Sequence, residues 1–284
     1  MKVKLYYAPI NNMGDDLNRL LMKHFFKKQL ADKARIDNFN IMGIGSCLGS
    51  CFYGHDKCLN PIRLEAKKIS AAFHGIGHIW GTGFIEEYPY DKMKLIRNNI
   101  KFDIVRGELT RQGVSKVLRQ ELDVPLADGG LLAPYLIENK KIIKSDRIGI
   151  IPHYREKTHP AVRRLMDSVG ERAVLIDVQD DSINVITQIA ACDYIISSSL
   201  HGLIVADAFN VPNSRIKITD KLLGTGFKFD DYYSAFNMKK SPVFINDRDI
   251  ELEELYYQPQ VDYIQVKKKQ DQLIQCMNGI LESL

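Results

Sequence analysis

No run of about 18 or more apolar residues occurs in this 284-residue chain, which removes a membrane-spanning helix from the reading. Residues 1–8 lack the apolar core and small-residue cleavage site of a secretory signal, and they read as a first β-strand. A cytoplasmic protein is therefore expected. Cysteine is sparse and odd in number, at five, so a disulfide scaffold is not expected. Neither sign of charge dominates. Lysine and arginine number 39 against 35 acidic residues, and the one short basic run, Lys267 to Lys269, reads as a solvated helix face. Nucleic acid is thus excluded as a partner. A small anionic substrate, or the inner face of an anionic membrane, is compatible with the net charge of +4. No glycine turn completes a dinucleotide fingerprint, and low-complexity segments and repeats are absent. Cys47, Cys51, His55 and Cys58 have metal-like spacing but fit no common zinc pattern. Free thiols are the better reading, and neither a metal nor a cofactor is expected.

What is present is a strand–helix rhythm, heard twice. Strands are expected at residues 2–8, 39–43, 79–81 and 102–106. Helices are expected at 11–30 and 108–118. A lysine-rich polar stretch, 138–146, reads as a linker. The rhythm then restarts, with strands at 147–152, 173–177 and 194–197 and helices at 160–169, 182–191 and 200–209. Such alternation argues for an α/β protein with two mainly parallel, Rossmann-like sheets facing a cleft. The expected division is 1–140, 141–260, and a C-terminal amphipathic helix over 261–284 that packs back across both.

Ligands of open parallel sheets bind beyond the carboxyl ends of the strands. The polar turns of this chain fall at those ends. At 11–18, Gly14 permits close backbone approach, while Asp15 reads first as a helix cap and second as a proton acceptor. The turns 43–46 and 80–83 each carry two glycines. Arg106 ends a strand, where a guanidinium can clamp a carboxylate or phosphate; local pairing with Glu108 is the alternative. Asp128 is a turn former or a cleft carboxylate. His153 ends another strand. Lys228 lies in an aromatic-rich segment, 224–233, where the lysine can pair with a phosphate and the tyrosines can stack on a sugar; an aromatic loop buried under the C-terminal helix is the alternative.

Most of the chemistry gathers at 197–202. An apolar strand gives way to Ser197, Ser198, Ser199, Leu200, His201 and Gly202, followed by an apolar helix. Hydroxyls and free N–H groups at a helix start make an anion site. A histidine there gains nothing from the helix dipole when protonated, so a purely structural role is poorly motivated.

In order, the segments NNMGDDLN, GIGS, WGTGF, VRGELTR, LADGGLL, GIIPHY, SSSLHGLIVADAFNVP and GFKFDDYYSAF resemble the polysaccharide pyruvyltransferase family, particularly its bacterial succinoglycan-type branch. They cover most of residues 1–235. The resemblance implies a GT-B-like fold and transfer of pyruvyl from phosphoenolpyruvate to two hydroxyls of a sugar or a lipid-linked oligosaccharide. It associates the L-H pair and nearby arginines with the donor, which here means Leu200, His201 and Arg106. Many members have an arginine before that pair where this chain has Ser199. Arg106, Arg111 and Lys228 are the cations expected to substitute. His201 is then the expected proton donor and Asp15 the base, with Gly14, His153, Ser198 and Ser199 as further substrate contacts. A nucleotide-sugar glycosyltransferase and a non-catalytic glycan-binding or assembly protein are the alternatives.

Overall fold

The computed structural model describes residues 2–31, 34–54, 61–221, 224, 226–246 and 250–284. Two parallel sheets carry the molecule. The first has the order β1 (Leu5–Tyr6), β2 (Ile41–Met42), β4 (Gly77–Trp80), β6 (Ile100–Ile104). A small antiparallel pair, β3 (Phe52–Tyr53) with β5 (Lys94–Leu95), lies apart from it. Its helices are α1 (Met13–Leu20), α2 (Pro61–Ala72) and α3 (Glu108–Leu118).

After the segment 138–146, the second sheet is built from β7 (Ile148–Ile151), β8 (Ala173–Leu175), β9 (Tyr194–Ser197), β10 (Asn213–Lys217) and β11 (Val243–Phe244). Its order is β11-β10-β9-β7-β8, and every pair is parallel. Helices α4 (Pro160–Val169), α5 (Ser182–Ala191), α6 (Leu200–Ala208), α7 (Phe227–Ser234), α8 (Leu252–Tyr256) and α9 (Tyr263–Ser283) follow in chain order. The mixed α/β class with mainly parallel sheets is as the alternating pattern requires.

Local chemistry explains the sharpest boundaries. Helix α4 starts with Pro160 in its first turn and closes at Gly170, whose φ is 72°. Helix α5 is capped by Asp181, whose carboxylate accepts from the Asn184 N–H at 2.9 Å. The first helix is shorter than its apolar spacing implies. It passes into a π-helical turn, Leu21–Phe25, and ends before Lys27, which sits at φ 54°. The segment expected to be an aromatic loop is helix α7.

One apolar core joins the two halves. Met13 and Leu17 of α1, Ile186 and Ile189 of α5 and Leu203 of α6 are completely buried in one cluster with Leu273 and Met277 of α9. Helix α9 is hydrogen-bonded to the first half of the chain. The Leu273 carbonyl accepts from the Trp80 indole at 3.1 Å, Lys269 Nζ donates to the Leu126 carbonyl at 2.7 Å, and Gln270 Nε2 to that of Leu131 at 2.8 Å. The carboxyl ends of strands from both sheets meet beside this core, which is where the polar turns collect.

Candidate active site

A cavity of about 210 Å³ lies between those strand ends. The first half contributes Asn12, Asp15, Gly45 and Ser46; the second contributes His153, Ser199, Leu200, His201 and Lys228. Two helices begin at it, α1 and α6. The first-turn N–H groups of a helix have no intrahelical acceptor; in α1 those of Met13 and Asp15 are taken by the Val178 carbonyl at 2.7 Å and the Asn12 side chain at 3.0 Å, so the donors left to the cavity are chiefly those of α6.

At the start of α1 the cap is Asn12 and not Asp15. The Asn12 side chain accepts from the Asp15 N–H at 3.0 Å and donates to Asp15 Oδ2 at 2.6 Å. Asp15 is thereby released from the structural role that its position favoured, and its carboxyl lines the cavity. Burial pushes that carboxyl up to about 6, against the Asn12 hydrogen bond and the Lys228 charge, which pull it down.

Gly14 explains how the two helix starts come together. A Cβ built on it would lie 2.1 Å from His201 Nδ1 and 2.4 Å from Cγ. The imidazole therefore rests on the bare backbone of α1. Gly14→Ala favours the helix by about 1 kcal/mol in propensity but must displace the ring. A loss of roughly 100-fold in turnover, the scale of a 1 Å misplacement, is expected without a matching fall in melting temperature. Steady-state kinetics beside a thermal melt tests this.

In the second half, Ser197 forms the turn. Its Oγ bonds to the Ile151 carbonyl at 2.9 Å and accepts the Ser199 N–H at 2.9 Å. Ser198 is buried as a strap between β7 and β9: its Oγ accepts the His153 N–H at 2.9 Å and donates to Glu156 Oε2 at 3.3 Å. It faces a recess of about 40 Å³ next to the main cavity, and Lys228 lines both. Ser199 caps α6 in extended conformation, makes no side-chain cap bond, and lines the cavity with Leu200.

The charges in this space are few and arranged against one another. Burial holds Lys228 at about 8, reinforced by Arg106 and offset by Asp15 and Glu156. Burial, then Lys228, then Arg106 hold His201 down at about 3. Burial, Lys228 and Arg155 hold His153 at about 4. Both imidazoles are therefore neutral at pH 7 in the free protein. A bound anion that neutralises Lys228 raises both.

The arginines are elsewhere. Arg106 is fully buried and engaged by the protein. Nε donates to Asp231 Oδ2 at 2.8 Å, one terminal nitrogen reaches Ser46 Oγ at 2.7 Å and the Gly45 carbonyl at 3.3 Å, and the other bonds to the Phe84 carbonyl. It stands behind the cavity wall and not on its surface. Arg111 pairs with Glu108 at 2.7 Å on α3, outside the cavity. Of the three substitute cations, Lys228 alone lines the space. Arg155, which no sequence motif singles out, lines it too; its one signal is its position two residues after His153.

No group of three or more potential metal-ligating side chains occurs among the described residues. Cys47 Sγ lies 3.4 Å from Thr82 Oγ1, and Cys51 Sγ lies 3.7 Å from Met42 Sδ. His55 and Cys58 lie outside the described residues.

A family model for polysaccharide pyruvyl transferases matches residues 12–216. The chain is 32% identical over 223 residues to the uncharacterised protein L143 of Acanthamoeba polyphaga mimivirus, covering 76% of this chain and 75% of that one. It is 27% identical over 245 residues to the succinoglycan biosynthesis protein ExoV of Rhizobium meliloti (strain 1021), covering 85% of this chain and 67% of that one. The matched family region takes in both helix starts, Asp15 and His201, and ends before Lys228.

Proposed function

The chain belongs to the polysaccharide pyruvyl transferase family, and we propose that it forms a pyruvate ketal on a sugar of a cell-surface polysaccharide or its precursor, with phosphoenolpyruvate as donor. The observation that carries this reading is the cavity itself. Two helix starts and Lys228 face a space of about 210 Å³. That is below the roughly 300–1,000 Å³ of pockets for larger ligands and matches a three-carbon phosphate better than a nucleotide-sugar. The two sheets are read as the halves of a GT-B-like architecture, residues 1–140 and 141–260, with 261–284 as the returning helix.

The chemistry uses the groups present. Lys228 and the first-turn N–H groups of α6 hold the donor's phosphate and carboxylate. A sugar hydroxyl adds to the central carbon and gives its proton to Asp15. His201 supplies a proton to the methylene carbon, which becomes the methyl group. Phosphate leaves, and a second hydroxyl captures the resulting oxocarbenium-like centre, its proton leaving with phosphate.

An acceptor carried on a lipid is met at a membrane surface. Among the described residues no helix is long and apolar enough to cross a membrane. Ile69 of α2, and Phe73 and Ile76 just beyond its end, are exposed apolar side chains suited to such an encounter.

Incubation with phosphoenolpyruvate or with nucleotide-sugars, over a panel of acceptors, decides between donors: release of phosphate supports the reading, and release of nucleotide overturns it. Lys228→Met is expected to raise the KM for phosphoenolpyruvate about 10- to 100-fold, the scale of one lost charge-assisted contact. Arg111→Ala is expected to leave it unchanged. The reverse pattern overturns the placement of the donor beside Lys228.

A further inference from the structure

Behind the cavity, two buried polar atoms have no hydrogen-bond partner: Nε2 of His201 and Oδ2 of Asp128. They belong to facing side chains: His201 Nε2 lies 4.0 Å from the other carboxyl oxygen, Asp128 Oδ1. An unsatisfied buried polar group costs about 1–3 kcal/mol, and two such groups side by side ask for a reason.

Asp128 is fixed from its own side of the contact. It caps the short helix Gly129–Leu136, and Oδ1 accepts the Gly130 N–H at 2.8 Å. Its surroundings come from three elements. Arg106 stands at the end of β6, Asp231 and Tyr232 on α7, and His201 on α6; Lys228 acts on the ring from the cavity side. Burial dominates and pushes the carboxyl up to about 7, with Arg106 pulling it down and Asp231 holding it up. A proton shared by this contact therefore rests on Asp128 before it rests on the ring. The two ring nitrogens are distinct. Nε2 is enclosed and faces Asp128, whereas Nδ1 lies over Gly14 and is not among the enclosed atoms.

We infer that Asp128 is the proton store of His201: a positioning residue whose carboxyl donates to Nε2 and so keeps the hydrogen of the neutral ring on Nδ1, the nitrogen open to the cavity. A closing of about 1 Å brings the pair to hydrogen-bond distance. During transfer the O–H bond of Asp128 breaks as Nε2–H forms, and Nδ1–H breaks as the C–H bond of the new methyl group forms. Asp128 ends as a carboxylate and the ring ends neutral with its hydrogen on Nε2. The proton taken by Asp15 from the attacking hydroxyl balances the one given up, and both carboxyl groups return to their starting states by exchange with solvent. The transfer step rests on the phosphoenolpyruvate reading; the tautomer of His201 does not.

The test uses the full chain labelled with ¹⁵N-histidine, with His201→Gln to assign the His201 signals. In the wild type, Nδ1 is expected to carry the hydrogen below pH 7. As pH rises through the titration of Asp128, the new carboxylate becomes an acceptor and the hydrogen moves to Nε2, so the Nε2 shift titrates while the ring stays neutral. Asp128→Asn keeps an oxygen for the Gly130 N–H and a shape that folds, but holds no transferable proton, and this titration should vanish. A flat Nε2 shift from pH 5 to 9 in the wild type, or the same titration in Asp128→Asn, overturns the inference. With phosphoenolpyruvate and an acceptor, Asp128→Asn should lower kcat about 100-fold, change the KM for donor less than about 3-fold, and remove the alkaline fall in rate. An unaltered kcat with the titration abolished overturns the role in transfer. A wild type that consumes no phosphoenolpyruvate counts against the donor reading, and the titration by itself then decides whether the two side chains are paired.

Discussion

His201→Ala is expected to lower kcat about 1,000-fold, within the range for loss of a positioned general acid, while the protein stays folded. Helix α6 is held in the core by Leu203, Ile204 and Val205, all fully buried, and not by the histidine, whose side chain is 15% exposed. Removing the ring leaves a space over Gly14 and in front of Asp128, and no staple between elements is lost. The effect should therefore fall on the chemical step, and the melting temperature should move by only a few degrees. Free imidazole, which fits the space left behind, should restore part of the rate. The pH dependence has a definite sign. The free protein holds His201 at about 3, so the ring is neutral at pH 7 and the proton it passes on is the one stored on Asp128. The rate then falls as pH rises through the titration of Asp128, which burial holds at about 7. A variant retaining near-normal turnover on a confirmed acceptor removes His201 from the chemistry, whatever else binds in the cavity.

The location of the cavity is legible in the sequence because it follows a general rule: polar, glycine-rich turns at the ends of apolar strands. Ser199, Leu200 and His201 were in reach of that rule, and so was His153. Elements with strong local punctuation were equally legible. Pro160 and Gly170 bracket α4, and Asp181 opens α5. What escaped was set by distant partners. Helix α7 has no side-chain cap, begins at Gly226 in the left-handed region, and buries Phe229, Asp231, Tyr232 and Tyr233 together. A run so dense in aromatics shows no clean helical period. The Asn12 hydrogen bonds that free Asp15 are local, yet Asn and Asp are equally good caps, and the sequence alone did not choose between them. Arg106 has the chemistry of an anion clamp. Only the fold brings Asp231, 125 residues away, against its Nε.

That pairing leads to the second large effect, which is on stability. Replacing Arg106 by methionine is expected to cost about 3–5 kcal/mol, the penalty for leaving one member of a buried ion pair without its partner. Both side chains are fully buried. Asp231 also accepts from the Thr110 N–H and the Thr110 hydroxyl, each at 2.7 Å, so its carboxylate is locked in place and cannot turn to water. Gly107 packs so closely that an added Cβ would meet the Asp231 carbonyl oxygen at 1.7 Å, which joins the start of α3 to α7 without slack. Urea unfolding should show the loss as a lower midpoint. Arg106→Met combined with Asp231→Leu should recover part of it, because two apolar groups leave no orphaned charge. Function follows from the same geometry. Lys228 lies three residues before Asp231 on α7, so the ion pair sets where the cavity-lining lysine stands. The milder Arg106→Lys keeps the charge but not the fork of hydrogen bonds, and it should lower the unfolding midpoint and raise the KM for phosphoenolpyruvate together. An arginine that instead gripped the donor directly would show the opposite separation: a large rise in KM in Arg106→Lys with unfolding within about 1 kcal/mol of wild type. The two measurements on one variant thus decide whether Arg106 holds the substrate or holds the helix that does.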